Sequence, residues 1–108
     1  MIRFLLVAFV FVVAGAAHAN GNAENGKAKA AQVCAACHGA DGAKPVAPDQ
    51  PILAGQYYDY LVKALSDYKS GKRVNAIMKA FADPLSKKEI EDLAAWFSSQ
   101  KSSLHVRR

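Results

Sequence analysis

The chain has 108 residues, with 14 Lys and Arg against 9 Asp and Glu, a formal charge of +5, and only two cysteines. This reads as one small domain at most, whose own apolar core is marginal and gains from a staple or a buried cofactor. The basic residues are scattered rather than blocked, with Lys63, Lys69, Lys72 and Arg73 the densest group and Arg107 and Arg108 at the tail. That pattern disfavours a nucleic-acid arm and favours an acidic protein partner.

Arg3 followed by the apolar run from Phe4 to Ala17 has the order of a secretory signal, and Ala17-His18-Ala19 offers the small residues a signal peptidase requires. Residues 1–19 are therefore expected to be a cleaved signal peptide and residues 20–108 a single exported, soluble domain. Removing Arg3 from the 14 basic residues leaves 13 against 9 acidic ones, a formal +4. The rival reading is a retained membrane anchor, but the apolar stretch is short for a span of about 20 residues and is not followed by cationic ones.

From Glu24 to Ala36 alanine and lysine favour a first helix, with Ala30 and Val33 on one face and both cysteines near its end. Gly42, Pro45, Pro48 and Pro51 then rule out a long regular element and predict a wrapped loop. Tyr58, Leu61, Val62, Leu65 and Tyr68 recur at helical spacing, and Gly71 stands where a C-cap would end that helix. A short helical turn is expected over Val74 to Phe81, ahead of Asp83-Pro84. The last helix carries the clearest signals: Ser86 and Glu89 form a capping box, Leu85 and Ile90 a hydrophobic staple, and Ile90, Leu93, Ala94 and Phe97 a buried stripe beside Trp96. No run alternates as a strand does, so the class is all-α: three main helices plus a short one.

Cys34-Ala35-Ala36-Cys37-His38 is a C-x-x-C-H motif, the attachment signal for c-type haem. Two thiols at this spacing can add to the two vinyl groups of one porphyrin, and the next histidine then offers an imidazole nitrogen to the iron. Three other readings compete. A thioredoxin-like pair needs a βαβ setting, a zinc site needs four ligands when only His105 remains to join the three, and a Cys34–Cys37 disulfide closes too small a loop to stabilise much. The expected cofactor is one covalent haem c, with iron on His38.

After removal of the signal, Met78 is the only methionine and His105 the only further histidine, so the sixth iron ligand is expected to be Met78. A lone methionine in a helix is ordinarily core filler, and the assignment depends on the haem motif beside it.

With these residues in place, the chain resembles a class I cytochrome c of the short bacterial single-haem type. The resemblance rests on Gly26, Cys34-x-x-Cys37-His38-Gly39, Pro51-x-Leu53-Ala54-Gly55-Gln56, Tyr60-Leu61, Gly71-x-Arg73, Met78, and Leu85-Ser86-x-x-Glu89-Ile90 leading to Leu93-Ala94-Ala95-Trp96-Phe97. It implies the small cytochrome c fold wrapped around one haem, with Gly26 giving the first helix close passage across the last beside Trp96. It also implies that the Pro51 carbonyl accepts a hydrogen bond from the other ring nitrogen of His38, that Leu53 lines the haem pocket, and that Gln56, Tyr60 and Arg73 approach the propionates. Ala30 departs from the pattern, standing where many members carry an aromatic residue. The implied activity is one-electron transfer in the periplasm, with no enzymatic constellation visible. The alternatives are a haem subunit of a larger oxidoreductase and a five-coordinate gas-binding cytochrome.

Overall fold

A computed structural model describes residues 21–102 together with Ala8 and Val10. The expected signal segment and its Ala17-His18-Ala19 site, the Asn20 start, His105 and the Arg107-Arg108 tail lie outside those residues. In chain order the helices are α1 (Ala23–Val33), α2 (Ala35–His38), α3 (Tyr58–Ser70), α4 (Ala76–Ala82) and α5 (Lys87–Ser98), and no strand occurs among the described residues.

α1 starts one residue earlier than its composition suggests because Asn22 caps it, its side chain accepting from Asn25 N–H at 3.0 Å. The expected single helix to Ala36 is interrupted at Cys34, where φ is −115°, and the short α2 carries Cys37 and His38. The interruption is bridged rather than open: Cys34 N–H reaches Ala30 O at 2.9 Å and His38 N–H reaches Cys34 O at 3.1 Å.

α1 crosses α5 at the position that Gly26 makes possible. A Cβ on Gly26 would overlap the Asp92 carbonyl and stand 2.9 Å from Trp96 Cβ. The same crossing is tied by Asp92, a buried carboxylate that accepts Asn22 N–H at 2.7 Å and both of whose oxygens lie 3.0 Å from Lys88 Nζ. α3 packs on α5, and α4 packs on α3. Between them lies the core of Ala30, Leu61, Leu85, Ile90, Leu93, Ala94 and Phe97, flanked by half-buried Cys34, Leu53, Tyr58, Val62, Leu65 and Trp96. Ala30, the departure from the family pattern, is fully buried in that cluster.

The element ends follow local chemistry. α3 stops at Gly71, left-handed at φ 87°, a conformation glycine adopts without steric cost. α5 begins with both halves of its capping box made: Glu89 N–H donates to Ser86 Oγ at 3.1 Å, and Ser86 N–H to Glu89 Oε1 at 3.0 Å. Leu85 and Ile90, the two staple positions, are both buried. No helix among the described residues is long and apolar enough to cross a membrane.

Candidate haem-attachment site

Two helices and one loop assemble this site. Beyond His38 the chain turns at Gly39, φ 85°, and again at Gly42, φ 77°. Gly42 is buried with its carbonyl accepting from Leu53 N–H at 2.9 Å and Ala54 N–H at 3.2 Å, so the loop folds back on itself and carries 51–54 to the motif. A side chain at Gly42 would reach within 2.7 Å of Phe97 Cδ1, which explains why the close approach takes glycine. Val46 N–H to Cys37 O, 3.0 Å, and Gly55 N–H to Phe97 O, 2.9 Å, fasten the loop to α2 and α5.

The result places Pro51 O 2.9 Å from His38 Nδ1. A proline carbonyl only accepts, so Nδ1 carries the proton and Nε2 keeps its lone pair. The imidazole is buried, and no hydrogen bond to Nε2 occurs among the described residues. This is the state a metal-ligating histidine needs: ring orientation fixed through one nitrogen and the other nitrogen available.

Cys34 and Cys37 are both half-buried and not joined to each other. Burial pushes the Cys34 thiol up to about 11 against the opposing charge of Lys29, so at neutral pH it is protonated. A thiol-exchange centre depends on the opposite shift, toward an accessible thiolate. Among the described residues no three of His, Cys, Asp and Glu are grouped as a metal ion would require, which also weighs against zinc.

Met78 is half-buried on α4, its N–H accepted by Asn75 Oδ1 at 3.0 Å. The motif had suggested a helical turn here, and Asn75 supplies the cap that defines where it starts. The structure brings His38 and Pro51 together; Met78 sits on a separate element that packs on α3. Leu53 is half-buried with one side against the core cluster. Tyr60 and Arg73 meet, Arg73 Nη1 donating to Tyr60 Oη at 3.2 Å while its guanidinium lies over the Tyr68 ring, whereas Gln56 turns its Oε1 to Tyr57 N–H.

Val46 and Tyr57, which no sequence signal singles out, are exposed apolar residues, as are Val74, Ile77 and Phe81 of the expected helical turn. Val74 is 92% exposed and Ile77 68%, flanking Met78. The helical turn expected over Val74 to Phe81 is present as α4, and its apolar residues Ile77 and Phe81 are exposed. The two unpaired thiols and one oriented imidazole fit a haem held by Cys34, Cys37 and His38.

The Cytochrome c family model matches residues 23–101. The chain is 52% identical over 90 residues to cytochrome c4 of Pseudomonas aeruginosa, covering 83% of this chain and 44% of that protein. It is 48% identical over 101 residues to cytochrome c4 of Stutzerimonas stutzeri, covering 85% of this chain and 47% of the relative. The crystal structure of reduced recombinant cytochrome c4 from Pseudomonas stutzeri superposes with a TM-score of 0.70 at 46% identity, over 78% of this chain and 48% of that one. The chain thus spans about half the length of the curated relatives it matches.

Proposed function

The chain belongs to the cytochrome c family, and on that premise we propose that it is a periplasmic one-electron carrier with a single covalent haem c, ligated by His38 and Met78. The observation that carries the reading is the His38 Nδ1 to Pro51 O bond beside two unpaired half-buried cysteines. The C-x-x-C-H motif occurs once in the sequence, which supports a count of one haem on this chain. The bound haem would supply an iron centre that changes oxidation state by one electron.

The protein's own part is retention, ligand choice and exclusion of water. Cys34 and Cys37 would hold the porphyrin at a helix end, and the Pro51 carbonyl keeps His38 in one tautomer and orientation. A thioether from Met78 would favour ferrous iron, and with His38 and Met78 both bound the iron would keep no position for a substrate. Pro51 and Leu53 act through position, the first on the imidazole and the second on the pocket wall. With 13 basic against 9 acidic residues once the signal is removed, a formal +4, the chain suits redox partners with acidic docking surfaces. Export rests on residues 1–19 acting as the signal.

The test is the visible spectrum of protein made in a host competent in cytochrome c maturation. Sharp reduced bands that survive acid-acetone extraction, with the weak red band of methionine-bound ferric haem, are the expected result. Carbon monoxide binding by the undenatured reduced protein at neutral pH would instead mark a five-coordinate iron and remove Met78 from the ligand set.

A further inference from the structure

α4, which carries Met78, is weakly anchored by burial. Ala82 is its buried residue, Met78 is half-buried, and Ile77 and Phe81 are exposed. Its seven residues also fall well short of the length at which a helix sustains itself in water. Polar ties hold it instead. At its start Asn75 caps Met78 N–H. Beyond its end the ammonium group of Lys69, in the last turn of α3, donates to Asp83 O at 2.7 Å and Leu85 O at 2.6 Å. Lys79 of α4 reaches the other way, donating to Lys69 O at 3.0 Å and to Asp83 Oδ1 at 2.9 Å. Each lysine thus satisfies backbone acceptors at the end of the other helix, where carbonyls lack intrahelical donors and positive charge is favoured.

We infer that Lys69 is a positioning residue for the iron ligand: by spanning the carbonyls of Asp83 and Leu85 it clamps the end of α4 to α3 and holds Met78 in place. The inference rests on Met78 being the axial ligand. Lys69 differs in this from its neighbour Lys63, which meets Asp67 on its own helix at 2.6 Å. Loss of the clamp leaves the core cluster intact, since neither lysine belongs to it. It leaves α4 held by the Asn75 cap, the Lys79 bonds and the burial of Ala82 and part of Met78.

The experiment compares haem-loaded wild type with Lys69→Met, Lys69→Arg and Lys63→Met, the last removing one charge from α3 without touching the clamp. Amide hydrogen exchange at residues 76–82 and imidazole binding to the ferric protein are read side by side, the second reporting how often Met78 leaves the iron. Lys69→Met is expected to exchange faster in 76–82 and to bind imidazole more tightly, each by roughly tenfold, the low end of what a hydrogen bond to a charged group contributes. Lys69→Arg keeps the donors and is expected to stay close to wild type, as is Lys63→Met. Unchanged exchange at 76–82 in Lys69→Met overturns the clamp. Faster exchange with unchanged imidazole binding overturns its bearing on the ligand. A wild-type spectrum without the methionine signature overturns the Met78 assignment itself, while the exchange data still decide whether the clamp exists.

Discussion

Gly26, Glu89 and Pro51 each show a single residue deciding something the rest of the chain cannot. At Gly26 the obstacle to a methyl group is backbone, the Asp92 carbonyl, which cannot swing aside as a side chain would. Gly26→Ala should destabilise the fold by at least the ~1–3 kcal/mol typical of an overpacked core, read as a lower urea midpoint. Glu89 is held down to about 2 first by its bond to Lys29, 2.8 Å away, and then by Ser86 N–H. A carboxylate with a depressed folded-state value contributes stability above its unfolded value, near 4.5, and that contribution is lost as pH falls toward 2. Glu89→Gln should therefore be less stable than wild type at pH 7, with the two urea curves converging as pH drops from 4.5 to 2. Pro51 acts through its carbonyl, which every residue possesses; what proline adds is a restricted φ that presents the oxygen to His38.

At the scale of elements, caps were the most legible feature and burial direction the least. Ser86-x-x-Glu89 and Gly71 could be read directly because a cap is a local bond between residues three or four apart, and both occur where expected. Ser86→Ala removes a bond to Glu89 N–H and should cost about 1 kcal/mol, or roughly 4–8 °C in Tm for a domain of this size, measurable by thermal denaturation. The break at Cys34 was not legible, since alanine and lysine favour helix on both sides of it. Nor was the outward exposure of Val74, Ile77 and Phe81, because periodicity shows that a face exists without saying what it meets. The buried Asp92 was missed for a related reason: its partners are Lys88 one turn back and Asn22 N–H, seventy residues away in sequence.

Across the whole molecule, a small core and a cofactor are coupled. Covalent haem adds apolar contact that only the folded state makes, so it should stabilise the fold. Replacing both Cys34 and Cys37 by alanine is expected to abolish covalent attachment and lower Tm relative to the loaded protein, checked by extraction and by denaturation of the two forms. Charge acts at the same scale: an excess of 14 basic over 9 acidic residues should make electron exchange with an acidic partner slow down as ionic strength rises from ~0.01 to ~0.15 M, as stopped-flow rates would report. The sequence by itself determined the helical class, the caps, the haem motif and the family, because each is written in residues a few positions apart or in their order along the chain. Only the tertiary structure decided how α1 meets α5 over Gly26, which carbonyl accepts the His38 hydrogen bond, and which lysine ties the Met78 helix down. Those are contacts between residues distant in sequence, and they exist only once the loop after His38 has folded back and the helices have packed.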